Sequence, residues 1–500
     1  MNERDRLYFS ALYEDRADSA KTLEKPSMRG VKKSVSEKYS DQAHFIYELL
    51  QNADDTHATR ARFILEQGRL VFAHNGTRHF SVSDPAEEDS DFNAGTLGDI
   101  NAITSVANSN KTEASIGKFG VGFKAVFQYT STPHIYDPDF RFKIERFIVP
   151  IQLDEDFPTR CPEETLFVFP FDHPERTAEQ AYEDIADKLR NLTYPLLFLS
   201  NLKEIEFEIG DVIGLYGKKI CETCSFDDIT AQRICLTQNN GDELYDENLW
   251  LFSRSDDCQR SYSVGFFLDN DGRLRAVNEP AFCFFPTKEN TGLNFVIHAP
   301  FLLTDSREGI LAGEPYNDNM VRLLAELAAR AIVCLKEIGE RHSLRLIDDS
   351  IFDIIPYDST KFSSLNDKSR ISFLPFYDCI KNTFEKEEIL PSTDGYTSSE
   401  NAYWAAVPQL TQLFSNEQLS VICEDDSACW VFVTLGRDEL QRNKKPLVSY
   451  IDSLVRTNLN EDAIISGRSK DFIYVNGSRQ LLEIIRGINA AFIESQPING

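Results

Sequence analysis

The sequence predicts a mixed α+β protein in which helices pack on sheets. Helical apolar patterns alternate with short β-rich runs, as in the helix predicted at 45–55, the strand and turn at 70–76, the strand at 165–169 and the helix at 178–192. A glycine-rich segment at 116–123 stands directly before an apolar run that predicts a further helix. This order of helices and strands favours an α+β sandwich over a doubly wound sheet.

Composition limits the classes of protein. With 500 residues, 42% hydrophobic and 26% charged, the chain has the balance of a globular protein of about three domains. The sequence contains no run near the ~18 apolar residues that a membrane span requires. The formal net charge of −28 argues against a broad electrostatic grip on nucleic acid. The charged N-terminus and ten cysteines are typical of a reduced cytoplasmic protein, and Cys221 with Cys224 lacks the second pair of a zinc site.

The glycine-rich segment suits the binding of phosphate. Gly117, Gly120 and Gly122 allow the backbone to approach a ligand closely, and N–H groups at a helix N-terminus attract anions. A glycine-rich loop alone is equally compatible with an ordinary turn, so its meaning depends on the upstream helix.

That upstream helix presents polar groups on one face. Glu48 and Asn52 are four residues apart and share a face, and Asp55 lies near it. Glu48 suits a general base that deprotonates water, and the Asn52 oxygen suits Mg²⁺. The alternative is an amphipathic helix with a solvated polar face.

Together, the two motifs resemble the GHKL superfamily of ATPases, which have the Bergerat fold. The segment 116–123 is similar to the glycine box of the ninety-kilodalton heat-shock chaperones, and 48–55 is most similar to the chaperone-like repeats of sacsin. The resemblance covers residues 30–170, and more faintly continues to about 345. The chain lacks a Gly-x-x-x-x-Gly-Lys-Ser/Thr signature, which excludes the phosphate-loop ATPases.

The resemblance implies a role for each matching residue. Glu48 is the expected general base, Asn52 the Mg²⁺ ligand, and Asp55 an acidic group near the nucleotide. The predicted mobile lid is 95–115, where Lys111 either reaches a phosphate or is a solvated lysine. The backbone expected to wrap the triphosphate of ATP is Gly117, Lys118, Phe119, Gly120, Val121, Gly122 and Phe123; the side chains of Lys118 and Lys124 are weaker phosphate candidates.

Adenine recognition departs from the family pattern. Thr165 matches a threonine near the adenine, or is simply a strand residue. The family usually has an Asp-x-Gly turn whose carboxylate accepts a hydrogen bond from the adenine amino group, whereas this chain has His74-Asn75-Gly76. Four alternatives follow. His74 substitutes for the aspartate, Asn75 substitutes for it, a water molecule mediates the contact with adenine, or the site prefers a different base. Gly76 still suits close backbone approach, and Phe80 is either a wall of the base site or a core residue.

The resemblance also implies a domain order. The expectation is a GHKL ATP-binding domain at 1–195, a middle, transducer-like α/β domain at 196–345, and a mixed α/β region of unknown role at 346–500, in a chain that we interpret as a fragment of a longer protein. Arg307 is the candidate sensor of the γ-phosphate, with a surface arginine as the alternative and Lys288 as a weaker candidate.

The predicted function is Mg²⁺-dependent binding and slow hydrolysis of ATP, which drive a cycle of lid closure. An ATP-dependent homodimer is expected by analogy, the protein client is open, and no membrane partner is expected. The alternative is a nucleotide-gated binding or scaffold module with little turnover, including a role in bacterial stress or defence. A histidine kinase is disfavoured because only about 40 residues precede the Glu48 helix.

Overall fold

The computed structural model describes most of the chain. The described residues are 1–28, 30, 44–105, 122–241, 243–256, 258, 260–304, 308–362, 370–405, 408, 411–412, 414–423 and 425–456. Several predicted site residues lie outside these ranges: Lys111, Gly117, Lys118, Phe119, Gly120, Val121 and Arg307.

The described part of the chain contains both helices and strands, as the sequence predicts. The helices are α1 (Glu3–Leu23), α2 (Phe45–Asp55), α3 (Glu88–Ala94), α4 (Asp99–Ile103), α5 (Ala178–Arg190), α6 (Pro315–Arg341), α7 (Ile351–Ile354), α8 (Leu374–Lys386), α9 (Asn416–Cys423), α10 (Arg437–Asn443) and α11 (Lys445–Asp452). The strands are β1 (Arg60–Glu66), β2 (Arg69–His74), β3 (His134–Tyr136), β4 (Arg141–Glu145), β5 (Val149–Gln152), β6 (Thr165–Pro170), β7 (Glu204–Ile209), β8 (Val212–Phe226), β9 (Ile229–Asn239), β10 (Leu244–Ser255), β11 (Ser261–Leu268), β12 (Leu274–Arg275), β13 (Pro280–Cys283), β14 (Phe285–Asn290), β15 (Val296–His298), β16 (Leu390–Ser392), β17 (Gly395–Thr397), β18 (Ala402–Trp404) and β19 (Cys429–Val431).

One large sheet runs through the first two predicted domains. Its strand order is β14-β13-β15-β11-β10-β9-β8-β7-β1-β2-β6-β3-β4-β5, with β12 paired to β11. The strands β1 and β7 pair in parallel, so the sheet continues across residue 195. A separate four-stranded sheet, β17-β16-β19-β18, lies in the region after 345. The fold is therefore mixed α/β.

The helix α2 is anchored by its apolar face. Phe45, Ile46, Leu49, Leu50 and Ala53 are all at most 1% exposed, which confirms the predicted helical pattern. The Phe45 ring packs against the rings of two neighbouring elements, with centroid distances of 5.2 Å to Tyr129 and 6.0 Å to Phe169. This packing fixes the face from which the polar residues of α2 project.

One predicted element differs from the structure. The apolar run after Gly122 forms a 3-10 helix, Phe123–Gln128, rather than an α-helix. Its side chains from Phe123 to Phe127 are all buried, so no amphipathic face selects the α-helical period. The strand β19 ends at Val431, because the backbone of Phe432 turns into the left-handed region with φ 52°.

The ten cysteines are all free thiols. Within the described ranges, no group of three or more histidine, cysteine or acidic side chains has the arrangement of a metal site, and no helix is long and apolar enough to cross a membrane.

Candidate functional site

The Glu48 side chain packs directly on the glycine-rich segment. Glu48 is buried, with 8% exposure, and its carboxylate lies against the Cα atom of Gly122. A methyl group added at Gly122 would overlap the Glu48 carboxylate and stand 3.1 Å from Cγ. Glycine at 122 is therefore what allows the carboxylate to lie beside this backbone.

Asn52 lies one turn further along α2. It is 8% exposed, like Glu48, and the spacing of four residues places both on one face of the helix. The face thus offers a carboxylate and an amide oxygen beside the last glycine of the segment. This is a donor set that suits Mg²⁺, which prefers oxygen ligands.

The two adjacent aspartates at the end of α2 have different surroundings. The Asp54 carboxylate accepts three backbone hydrogen bonds, from Ser200 at 3.1 Å and from Asn201 and Leu202 at 2.7 Å each. Asp54 therefore ties α2 to the segment that leads into β7, a structural role that the sequence did not reveal.

Asp55 is the aspartate that remains for the site. Its Oδ2 atom is buried and has no hydrogen-bond partner among the described residues. Burial, assisted by the charge of Asp54, raises the pKa of Asp55 to about 7, while Arg78 opposes the rise and Glu48 adds to it. An orphaned carboxylate oxygen near Glu48 is a position that a water, a metal ion or a nucleotide group would satisfy.

A narrow crevice opens beside the C-terminus of α2. We call it the crevice, and its lining residues are Thr56, His74, Arg78, His79, Phe80, Asp99 and Thr165. Thr56 is eight residues beyond Glu48, or about 12 Å along the helix axis. The crevice and Glu48 thus lie near opposite ends of α2.

Close packing at the end of β2 shapes the crevice. A Cβ atom on Gly76 would overlap Thr56 Oγ1 and lie 2.9 Å from His74 Nδ1, so residue 76 must be glycine for the turn to pack on α2. Asn75 points elsewhere, because its side-chain oxygen accepts from the N–H groups of Thr59 and Arg60 at 2.9 Å each. Its amide also donates to Thr59 Oγ1, which leaves Asn75 committed to the β1 end of the turn.

His74 is buried and neutral in this arrangement. The ring is 3% exposed, and burial lowers its pKa to about 3, with the charges of His79 and Arg78 adding to the effect. Its Nδ1 atom accepts the N–H of Gly76 at 3.2 Å. His74 is paired across the sheet with Thr165, the initial residue of β6.

Thr165 is held by a buried acid. Its hydroxyl donates to Asp137 Oδ2 at 2.8 Å, and Asp137 is fully buried. Burial raises the pKa of Asp137, opposed mainly by the hydrogen bond from Thr165. His79 Nδ1 lies 3.3 Å from the same oxygen, without the alignment of a hydrogen bond. Asp137 is a further residue of this region that no local sequence signal marked.

Two lysines named as candidates lie in different surroundings in this structure. Lys124 is 1% exposed, donates to the Phe147 carbonyl at 2.8 Å, and lies 4.7 Å from the centre of the Phe147 ring. The weak expectation that Lys124 contacts a phosphate was wrong, because its chain turns into the core. Lys288, the alternative to Arg307, pairs with Glu308 at 2.9 Å.

The structure brings the described site residues into two groups. Glu48 meets Gly122 at one face of α2, Asn52 lies one turn further along the same face, and Phe123 is buried. His74, Gly76 and Thr165 meet at the crevice, and Phe80 is both a crevice wall and a core residue with 6% exposure. The residues that sequence reasoning missed are Asp54 and Asp137. The adjacent aspartates 54 and 55 were visible in the sequence, but the contact of Asp54 with residues 200–202 was not.

Comparison with known proteins identifies part of the chain. The family model described as "Sacsin domain" matches residues 27–142. The protein NO VEIN of Arabidopsis thaliana is 28% identical over 320 residues, which cover 56% of this chain and 11% of that protein. Human sacsin is 22% identical over 449 residues, which cover 70% of this chain and 10% of sacsin. The chain spans about a tenth of the length of these relatives.

Solved structures give a weaker likeness. The ATP-binding domain of topoisomerase IV from Francisella tularensis, in complex with an inhibitor, is 14% identical, with a TM-score of 0.28, 43% of this chain covered and 63% of that chain. The B subunit of DNA gyrase from Myxococcus xanthus is 13% identical, with a TM-score of 0.26, 45% of this chain covered and 68% of that chain. These TM-scores are too low to establish a common fold. The sacsin-like resemblance read from the sequence is confirmed by the family model, which residues 27–142 of this chain match.

Proposed function

We propose that this protein binds ATP with Mg²⁺ between α2 and the glycine-rich segment, and that it hydrolyses the nucleotide slowly. The observation that carries the proposal is the packing of the Glu48 carboxylate on Gly122. This contact joins the acidic face of α2 to the glycine-rich segment, the two elements that an ATPase of this kind needs together. The Sacsin domain match over residues 27–142 supports the same reading.

In this proposal each side chain has a defined task. Glu48 orients a water molecule and accepts its proton, because its carboxylate is buried beside the backbone at which the phosphate would lie. Asn52 would hold Mg²⁺, and the ion would supply positive charge that neutralises the triphosphate in an acidic protein. The buried, unpartnered Oδ2 atom of Asp55 fits this polar ligand environment.

The position of α2 supports a link between nucleotide binding and the neighbouring sheet. Asp54 binds the segment 200–202 that leads into β7, and the Tyr47 ring stacks on Phe285 of β14 at a centroid distance of 4.4 Å. A shift of α2 on nucleotide binding would therefore displace the residues of the second predicted domain that contact it. Lid closure over 95–115, contact of Arg307 with the γ-phosphate, and ATP-dependent dimerisation complete the proposed cycle.

A second candidate is a nucleotide-gated binding module with little turnover. The feature that favours it is His74, a buried neutral group where the related ATPases usually have an aspartate. In that case the nucleotide acts as a ligand that shifts the population of two conformations, and a role in stress or defence would rest on a partner protein.

Replacement of Glu48 by alanine separates the two candidates. We expect the Glu48→Ala variant to bind Mg·ATP within about threefold of wild type and to lose at least about 99% of phosphate release, as expected for loss of a general base worth 10²–10⁴-fold. Glu183→Ala, which removes an exposed glutamate of α5, is the matched control and should keep full turnover. Equal phosphate release by wild type and Glu48→Ala would refute the ATPase proposal and favour the binding module.

A further inference from the structure

The crevice contains a histidine, His74, whose tautomer can be deduced from its hydrogen bonds. The backbone N–H of Gly76 donates to His74 Nδ1 at 3.2 Å, so Nδ1 must carry a lone pair. Thr56 Oγ1 lies 3.5 Å from the same nitrogen, but its hydrogen is directed to the carbonyl of Ala53 at 2.8 Å. Because the buried ring is neutral, its single proton is on Nε2.

The neighbouring residue has the opposite polarity. Thr165 lies directly across from His74 in the antiparallel pairing of β2 with β6. Its hydroxyl hydrogen is donated to Asp137 Oδ2 at 2.8 Å, so its oxygen is left to accept. The crevice therefore presents a donor, the Nε2–H group of His74, beside an acceptor, the Thr165 oxygen.

Adenine carries the complementary pair. Its 6-amino group donates, and it is flanked on each side by a ring nitrogen, N1 or N7, that accepts. A carboxylate at position 74 would bind the amino group, whereas a neutral histidine with its proton on Nε2 cannot accept that hydrogen bond. His74 and Thr165 are 3% and 1% exposed, so an unmatched donor or acceptor there would be costly.

We propose that His74 acts as a hydrogen-bond donor to adenine. Its Nε2–H group binds the ring nitrogen beside the 6-amino group, and the Thr165 oxygen accepts a hydrogen bond from that amino group. This inference rests on the proposed function, which supplies the adenine nucleotide. It assigns His74 the opposite hydrogen-bonding role from the aspartate that it replaces, and it assigns Asn75 no contact with the base.

The direct test measures the affinity of the wild-type protein for three Mg²⁺-bound nucleotides: ATP, 1-deaza-ATP and 7-deaza-ATP. Each analogue replaces one of the two flanking nitrogens by a C–H group and keeps the amino group. We expect one analogue to bind about tenfold more weakly than ATP, the size of one lost hydrogen bond, and the other to bind like ATP. The analogue that loses affinity identifies the nitrogen that His74 contacts.

The matching variant is His74→Phe, which keeps an aromatic ring among Phe72 and Phe167 but has no donor. We expect this variant to bind ATP and both analogues with equal affinity. His134→Phe makes the same replacement outside the crevice and should keep the wild-type difference. Circular dichroism and thermal unfolding establish whether each variant folds. If His74→Phe does not fold, the analogue series on the wild-type protein still tests the role assigned to His74.

Each outcome bears on a different claim. If wild type binds ATP and both deaza analogues equally, or binds GTP more tightly than ATP, the role assigned to His74 is wrong while nucleotide binding stands. If none of these nucleotides binds in the presence of Mg²⁺, the proposed function itself is wrong.

Discussion

The contact between Glu48 and Gly122 makes alanine at 122 an informative substitution. The backbone of Gly122 has φ −63° and ψ −41°, angles that alanine adopts without strain. The added methyl group would nevertheless overlap the Glu48 carboxylate and stand 3.1 Å from its Cγ atom. Carbon atoms in good contact are 3.5–4.0 Å apart, so the Glu48 side chain must move by on the order of 1 Å.

The expected effect follows from this displacement. A shift of about 1 Å in a catalytic group is associated with a loss of roughly 100-fold in rate. We therefore expect Gly122→Ala to lower kcat for phosphate release by about 100-fold. The affinity for a non-hydrolysable ATP analogue should change less, because the other groups that hold the nucleotide remain.

The assay is steady-state phosphate release, with nucleotide affinity measured by calorimetry on the same preparations. Gly68→Ala is the matched control, because a Cβ atom at Gly68 would have no neighbour within 4 Å. It should leave both quantities unchanged. A folded Gly122→Ala variant with kcat within twofold of wild type would refute the placement of Glu48 as the base.

Three further predictions concern stability. Asp54→Asn should lower the free energy of unfolding by about 2–4 kcal/mol, since three backbone N–H groups lose a charged acceptor. Asp55→Asn should stabilise the protein at pH 8. The pKa of Asp55 is raised to about 7, so the folded chain loses stability as pH rises from about 4 to about 7 and this carboxyl group ionises, whereas asparagine does not ionise. Denaturant unfolding of both variants checks this contrast, and an equal loss in both would contradict it. The pKa of Lys124 is lowered to about 7, so the folded chain releases this proton between about pH 7 and 10 while the unfolded chain retains it, and wild-type stability should rise with pH. Lys124→Met should lack that rise in thermal midpoints recorded from pH 7 to 10, and parallel pH profiles would refute the assignment.

The sequence predicted those parts of the site that depend on local pattern. The period of apolar residues in α2 gave the face that carries Glu48 and Asn52, because burial of one face decides where the other points. The strand with Thr165 was also predicted correctly, since its apolar pattern is regular.

The missing parts depend on contacts between distant residues. Asp54 and Asp55 are adjacent and chemically identical, and only the position of 200–202 shows that Asp54 is structural. Lys124 was named as a weaker phosphate candidate, yet it is buried and donates to a carbonyl at residue 147. The parallel pairing of β1 with β7, which joins residues 144 positions apart such as Arg60 and Glu204, likewise has no local signal.

The central claim is that Glu48, Asn52 and the glycine-rich segment surround one Mg²⁺-bound triphosphate. The measurement that tests it most directly is calorimetric titration of the wild-type chain with a non-hydrolysable ATP analogue, in the presence of Mg²⁺ and again after chelation. The account predicts uptake of one nucleotide per chain with Mg²⁺ and at least tenfold weaker binding without it. Absence of any uptake in the presence of Mg²⁺, by a chain shown to be folded, would contradict it.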